Sequence, residues 1–232
     1  MSIDKAKEII FEFIPGEVDL AHNAIGIYIS LAEHAKLLNQ SSHRTLFGFI
    51  QQQSFAGFVM SVSKLFERQN PRYPNYSIPT ALSYLLDNIA LVPVPVNCPF
   101  KFERFIQNNI DSSFHIQSQN DIRNIPEIIL NHFAEKYPRT PARSGYRLDA
   151  ILDAIQVLRD KRVAHHEDRS IQDLSKTDLD SVLQLLAFAK TFMNIVAYGF
   201  FGFSLDAIAD PAEFEPDKSI TWAQMNKIVG NL

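Results

Sequence analysis

The sequence predicts an all-α fold, a helical bundle with extra peripheral helices and a C-terminal tail. Apolar residues recur at three- and four-residue steps along most of the 232 residues, which is the period of an amphipathic helix. The sequence has no sustained alternation of polar and apolar residues, no Asn-Gly hairpin turn and no internal repeat, so a sheet is not expected. Hydrophobic residues make up 46 % and charged residues 21 % of the chain, which is ordinary globular composition. We therefore expect a folded, globular protein.

The first half of the chain contains three helical segments. Residues 17–39 carry one apolar stripe, and residues 44–67 carry a second, less regular one. Pro79 is expected in the first turn of a third helix that runs to about Ile89, because the amide that proline lacks has no intrahelical partner there. The two stripes consist of Val18, Ala21, Ile25, Tyr28, Leu31, Ala35 and Leu38, and of Phe47, Ile50, Phe55, Phe58, Val62 and Leu65.

Prolines shape the middle of the chain. The segment 92–99 (VPVPVNCP) is predicted to be an extended connector, since each proline pushes the residue before it out of helical geometry. Shorter helices are expected at 100–109 and 120–136. A loop follows at 136–147, where the sequence has two prolines and a glycine.

Two long apolar helices are predicted late in the chain. The first covers about residues 146–164, and the second opens at Thr177 with a stripe that continues to Val196. From Asp206 the sequence is acidic and broken by prolines, with a short closing helix expected near residues 221–229. We therefore predict a helical domain over residues 1–205 and an acidic tail with a short terminal helix over 206–232.

Composition and motif content disfavour several classes of protein. A single cysteine, Cys98, excludes an internal disulfide framework and a four-cysteine zinc site. No apolar run approaches the ~18 residues of a spanning helix, and the first residues, MSIDKAKEII, lack the features of a signal peptide. The net charge of −4 argues against non-specific coating of nucleic acid. We expect a soluble cytoplasmic protein without a membrane partner, and the sequence has no P-loop, G-x-G-x-x-G, G-x-S-x-G or H-E-x-x-H motif.

The densest polar cluster lies at residues 159–169, where the first late helix ends. This segment reads RDKRVAHHEDR and directly follows an apolar stretch from Leu148 to Leu158. So abrupt a change from apolar to charged residues fits the end of a functional helix, and it also fits an ordinary solvated terminus.

The cluster resembles the motif of the HEPN superfamily (higher eukaryotes and prokaryotes nucleotide-binding domains). In that superfamily an arginine, often followed by Asn or Asp, precedes a histidine by four to six residues. The string R-D-K-x-x-A-H, from Arg159 to His165, is most similar to the HEPN branch associated with U-type abortive-infection systems of bacteria. Asp160, Lys161 and Ala164, the aliphatic lead-in and the all-α setting carry the resemblance, which covers about residues 15–200.

The resemblance implies a metal-independent endoribonuclease that works as a homodimer and serves as a toxin or effector in phage defence. Elementary chemistry favours the same residue types. Attack of an RNA 2′-hydroxyl on the adjacent phosphorus needs a base, an acid and positive charge near the phosphorane. Histidine titrates close to neutral pH and suits both proton transfers, while arginine stays charged and offers a planar fork of donors. We expect Arg159 to stabilise the phosphorane, His165 to act in acid–base catalysis and Asp160 to orient one of them.

The spacing leaves the identity of the catalytic histidine open. At about 100° per residue, Arg159 and His165 lie about 240° apart on a regular helix, whereas Arg159, Arg162 and His166 share a face. Either the helix unwinds before His165, or His166 takes the catalytic role. A C2 homodimer brings two copies of the motif together, so acid and base need not be the same residue.

The other residues of the cluster have two interpretations each. Lys161, Arg162 and His166 are expected to bind RNA phosphates; alternatively, the two cations stabilise a helix C-terminus and the histidine is a cap or a surface residue. Asp160 either orients a catalytic neighbour or faces solvent. No metal site is expected, because adjacent residues such as His165 and His166 rarely converge on one ion.

Residues outside the cluster are expected to be structural. The other histidines show no ligand spacing, and Cys98 has no evident activating partner. The phenylalanines around 199–203 fit a core or a dimer interface better than a base-stacking platform. The scattered histidines are His22, His34, His43, His115 and His132.

Two alternative functions remain open from the sequence. One is a non-catalytic helical module of the same fold that binds RNA or protein, which the negative net charge favours slightly. The other is a small-molecule-binding bundle without a nucleic-acid role. For the ribonuclease we expect RNA, a second copy of the chain and an antitoxin or regulatory protein as partners, and no cofactor.

Overall fold

Helices form every regular element in the part of the chain that the structure describes. The computed structural model describes residues 2–67, 75–94, 99–136, 152–153, 155, 159, 176–202, 224–225 and 227–228. These residues contain no strand, which confirms the all-α prediction.

The helices follow in this order along the chain. The N-terminal segment consists of α1 (Ile3–Glu8), a π-helix (Ile9–Phe13), α2 (Ile14–Glu33), α3 (Ala35–Gln40) and α4 (Arg44–Leu65). Next come α5 (Ile78–Asp87), a 3-10 turn (Ile89–Leu91), α6 (Pro99–Asn109) and α7 (Gln119–Lys136). The last continuous segment consists of α8 (Lys176–Met193) and a second π-helix (Asn194–Phe200). Isolated residues 152, 153, 155, 224, 225, 227 and 228 are also helical.

The helix predicted over residues 17–39 is interrupted at His34. The His34 backbone leaves helical geometry, with φ −98° and ψ 12°, and its ring Nδ1 lies 2.9 Å from the Ser30 carbonyl oxygen. A histidine side chain that bonds one of the last carbonyls is a common way to end a helix. Ala35, predicted within the apolar stripe, is accordingly exposed, while Leu31 and Leu38 on either side of the break are buried.

The predicted position of Pro79 is confirmed. α5 begins at Ile78, and Ser77 is its N-cap, because its hydroxyl accepts a hydrogen bond from the Thr80 amide. The Ser77 hydroxyl also donates to the Glu67 carbonyl oxygen at 2.8 Å. In the predicted connector, Val92 is extended, while residues 95–98 lie outside the described residues.

The chain divides into two compact units. The first comprises Met1–Ile14, Glu67–Tyr146 and Lys190–Ile208, and the second comprises Pro15–Phe66, Arg147–Ala189 and Ala209–Leu232. The predicted boundary between residues 205 and 206 stays a prediction.

In the first unit, α5 is the central helix. It packs against α1, the N-terminal π-helix and α7, while α6 packs against α7 and the two π-helices contact each other. Aromatic pairs fill the space between these elements: Phe102 stacks on Phe200 at a centroid distance of 5.3 Å, and Phe133 meets Phe192 edge-on at 5.4 Å. Phe200 is buried, which supports the core interpretation of this phenylalanine.

In the second unit, α2 and α4 lie side by side. Lys64 on α4 forms an ion pair of 2.7 Å with Glu17 on α2, and an added Cβ at Gly57 would lie 3.9 Å from the Ala24 side chain. α3 packs against α4. Three apolar residues of the second unit form a buried cluster, namely Leu31, Leu38 and Phe47. The partly buried Ile27, Ile50 and Met225 pack against this cluster.

One apolar segment passes the length and composition test for a membrane-spanning helix. Among the described residues this segment is Leu183–Phe200, with a mean hydropathy of 1.2. Lys190 interrupts it, so it is not an uninterrupted apolar run of the kind that the sequence lacks. Half of this window is buried inside the protein. The core helix of a soluble protein passes the same test, so the segment is weak evidence for a membrane.

Two further predictions fall largely outside the described residues. Of the long helix expected over 146–164, Leu152, Asp153 and Ile155 are helical and Arg159 has π-helical backbone geometry. The acidic segment 206–217 also lies outside the described residues.

The second late helix begins at Lys176, one residue before the predicted opening, and its α-helical geometry ends at Met193.

Candidate functional site

Arg159 is the one predicted site residue that the structure describes. Ile155, four residues earlier in the chain, is helical and buried with 1 % exposure. Arg159 itself is half-buried, and its π-helical backbone is a geometry that recurs at functional positions in helices. The description of the site therefore starts from this one guanidinium.

The Arg159 guanidinium contacts α4. Its Nη1 atom donates to the Ser63 hydroxyl oxygen at 3.4 Å, across 96 residues of sequence. A guanidinium carries five N–H donors in one plane, so a contact at one nitrogen orients the whole fork. This arrangement suits the recognition of phosphate, for which arginine presents two parallel donors.

Ser63 belongs to a polar pair that interrupts the apolar stripe of α4. Ser61 and Ser63 are 5 % and 4 % exposed, in a stretch where Val62 and Leu65 are fully buried. Burial of a hydroxyl is unfavourable unless the group forms a hydrogen bond. The sequence shows two serines beside the apolar stripe, at 61 and 63, but their burial and the Ser63 contact with Arg159 appear only in the structure.

An ion pair between α2 and α4 lies next to Ser63 in the sequence. Lys64 follows Ser63 directly, and its Nζ atom binds Oε1 of Glu17 at 2.7 Å. The second carboxylate oxygen, Oε2 of Glu17, is buried and has no hydrogen-bond partner among the described residues. The end of α4 thus carries a hydroxyl that contacts Arg159 and an ion pair that joins α4 to α2.

The other predicted site residues lie outside the described residues. They are Asp160, Lys161, Arg162, His165 and His166. Their assigned roles, and the choice between the two histidines, stay predictions.

Histidines elsewhere in the described ranges have local contacts that fit structural roles. His115 Nδ1 lies 3.1 Å from Glu103 Oε1 and 3.1 Å from the Gln107 side-chain nitrogen. His132 packs edge-on against Phe105 at 6.2 Å. Across the described ranges, no three His, Cys, Asp or Glu residues lie close enough together to hold a metal ion.

A shallow pocket of about 300 Å³ lies in the first unit. It is formed by α5 and α7 and includes the exposed carboxylates of Asp87 and Glu127 beside Asn131. Its negative charge suits a cation better than an RNA phosphate. None of the described residues that line the pocket is a predicted site residue.

Comparison with known proteins identifies one family. The family model HEPN_AbiU2, described as AbiU2, matches residues 16–218. No curated protein and no solved structure gives a significant match. The matched range includes α2 from residue 16 onward, the whole of α4 and the whole segment 159–169.

Proposed function

Because this chain belongs to the AbiU2 family of HEPN domains, which is related to abortive infection, we propose that it is a metal-independent endoribonuclease. It cleaves RNA at a site formed across a homodimer and serves as an effector in phage defence. Arg159, Asp160 and His165 form the catalytic group, and Lys161, Arg162 and His166 bind RNA phosphates.

The placement of Arg159 is the observation that supports this proposal best. The residue opens the motif string inside the family-matched range, it is half-buried, and a buried hydroxyl of another helix orients its guanidinium. A solvated helix terminus does not require an arginine to be held in this way. A preorganised cation, in contrast, is what stabilisation of a phosphorane needs.

The proposed reaction is an internal transfer within RNA. The 2′-oxygen attacks the adjacent phosphorus while a histidine accepts the 2′-hydroxyl proton. The bond from phosphorus to the 5′-oxygen breaks, and a protonated histidine donates a proton to the leaving oxygen. The products are a 2′,3′-cyclic phosphate and a 5′-hydroxyl end. Arg159 neutralises the charge that builds on the non-bridging oxygens, and two histidines from two protomers divide the proton transfers between them.

The decisive experiment is cleavage of end-labelled RNA in excess EDTA. Wild-type protein is compared with Arg159→Ala, His165→Ala and His166→Ala, and the product ends are identified. We expect cyclic-phosphate ends from the wild type, and a rate at least about 100-fold lower both for Arg159→Ala, as for loss of an oxyanion donor, and for His165→Ala, as for loss of a general acid–base group. Arg123→Ala removes an exposed arginine of α7 and serves as the control with unchanged activity.

Other outcomes of this experiment correct the proposal in defined ways. Cleavage that survives His165→Ala and is lost in His166→Ala transfers the acid–base role to His166. Cleavage that depends on a divalent metal, or that survives Arg159→Ala, contradicts the mechanism. Absence of cleavage by a folded wild-type dimer contradicts the nuclease.

The net charge of −4 favours a second candidate, a non-catalytic module of the same fold that binds RNA or protein. This candidate predicts that the wild type shifts RNA in a gel without cutting it, and that His165→Ala keeps the same affinity.

The partners proposed for the nuclease are RNA, a second copy of the chain and an antitoxin or regulatory protein, in the cytoplasm. Copurification from cells that express the inactive Arg159→Ala variant tests the protein partner.

A further inference from the structure

Ser63 is a polar residue at an apolar position of α4. Only 4 % of it is exposed, and its neighbours Val62 and Leu65 are 0 % and 1 % exposed. An alanine at such a position avoids the cost of desolvating a hydroxyl. The serine therefore needs a reason that helix packing alone does not supply.

The contact of Ser63 with Arg159 supplies that reason. The hydroxyl oxygen accepts a hydrogen bond from Arg159 Nη1 at 3.4 Å, and the donor is a charged guanidinium. The two residues are 96 positions apart, so the contact joins Arg159 to α4. α4 is a helix of 22 residues, and regular elements position a functional group more precisely than loops do.

We propose that Ser63 is a positioning residue for catalysis and acts through Arg159. The inference rests on the proposed ribonuclease function and adds a residue that lies far from the motif in sequence. An arginine side chain has several rotatable bonds, and freezing them during the reaction raises the barrier. Ser63 holds the guanidinium in place before RNA arrives, so that its donors face the charge that develops on the phosphorane.

The chain offers a matched control in Ser61. This serine lies on the same helix and is buried to 5 % exposure, but it is two residues earlier and therefore about 200° around the helix from Ser63. Removal of the Ser61 hydroxyl measures the effect of losing a buried polar group from α4. Removal of the Ser63 hydroxyl measures the same loss together with the loss of the Arg159 contact.

The test measures kcat and KM of RNA cleavage for the full chain and its variants Ser63→Ala, Ser61→Ala and Ser63→Thr. We expect Ser63→Ala to lower kcat about tenfold with KM changed less than about twofold, as for an interaction that strengthens in the transition state. Ser63→Thr keeps the hydroxyl and restores most of the rate. Ser61→Ala leaves kcat within about twofold of the wild type.

A double-mutant cycle shows whether Ser63 acts through Arg159. In single-turnover reactions with excess protein, Ser63→Ala added to Arg159→Ala has no further effect if the two residues act as one unit. Ser63→Cys replaces Ser63→Ala if thermal unfolding of the alanine variant is not cooperative. When the residual rate of Arg159→Ala is too low to measure, the comparison between Ser63→Ala and Ser61→Ala decides.

Two results overturn the inference and leave the ribonuclease in place. One is equal kcat for Ser63→Ala and Ser61→Ala in an active protein. The other is a rate loss by Ser63→Ala that persists fully in the Arg159→Ala background. A wild type that leaves RNA intact is a different result, since it contradicts the proposed function and the positioning role with it.

Discussion

At the scale of single residues, Gly199 of the second π-helix lies against the Phe102 ring of α6. A Cβ atom at this position would lie 2.4 Å from Cζ of Phe102. The Phe102 ring is 4 % exposed and stacks on Phe200, so it has little freedom to move aside. We predict that Gly199→Ala destabilises the protein by about 1–3 kcal/mol, the usual cost of overpacking, as measured by urea unfolding.

Gly48 provides the control for this substitution. It is an exposed glycine inside α4, and an added Cβ has nothing within 4 Å. Gly48→Ala should stabilise the protein by about 0.5–1 kcal/mol, because alanine is the better helix former. Equal changes in the free energy of unfolding for Gly199→Ala and Gly48→Ala would show that the Phe102 contact does not restrict the size of the residue at position 199. The sequence alone does not distinguish these glycines, since the Phe102 contact depends on tertiary packing.

The motif residues illustrate the same limit for the candidate site. Arg159 was predicted from a string of local sequence, and the structure adds its contact with Ser63, 96 residues away. Patterns within one segment identify residue types suited to phosphate chemistry. They do not identify which distant helix supports the guanidinium, because that depends on how helices pack.

At the scale of elements, the start of α7 is a capping box. The Ser118 hydroxyl accepts from the Asp121 amide at 3.3 Å, and Asp121 Oδ2 accepts from the Ser118 amide at 2.8 Å. Oδ2 also accepts from the Ser118 hydroxyl and the Gln117 amide. The Ser118 hydroxyl, followed by the two amides, lowers the pKa of Asp121 below its usual value of 3.8. Ser118→Ala should cost about 1 kcal/mol of stability, as the loss of an N-cap does.

The lowered pKa gives the cap a defined pH dependence. A carboxylate with a lower pKa in the folded state stabilises the protein fully above its unfolded pKa, and the contribution disappears as pH falls through the folded value. We predict that Asp121→Asn is less stable than the wild type at neutral pH, that the difference begins to shrink as the pH falls below about 3.8, and that it is lost once the pH passes through the lower folded-state pKa. Urea unfolding at a series of pH values measures this. Glu135→Gln, an exposed carboxylate later in the same helix, is the control, and a difference for Asp121→Asn that stays constant with pH contradicts the prediction.

The sequence predicted most element positions but not their internal breaks. The helices expected at 100–109 and 120–136 occur at Pro99–Asn109 and Gln119–Lys136, because period and turn residues are local properties. The break at His34 and the change from α- to π-helix after Met193 were missed. In both places the apolar stripe continues, so the periodicity carries no sign of a local change in backbone hydrogen bonding.

At the scale of the whole molecule, the proposed site requires two copies of the chain. We predict that the cleavage rate per protomer is constant at high protein concentration and falls when dilution separates the dimer, since mass action governs assembly. Sedimentation velocity over the same concentrations locates the monomer–dimer transition. A rate per protomer that stays constant where sedimentation finds only monomers contradicts the shared site. Fold class and family were predictable at this scale, because the helical period of apolar residues indicates the fold class, and the motif in its all-α setting indicates the family.

The position of Met225 has a consequence for how the protein is made. Met225 packs against the cluster of Leu31, Leu38 and Phe47, yet it lies beyond residue 218, where the family match ends. On the ribosome Phe47 is added 178 residues before Met225. Until that methionine has been added, the cluster stays partly open to water and to chaperones that bind apolar surface. Met225 completes a surface whose other residues lie far upstream in the chain.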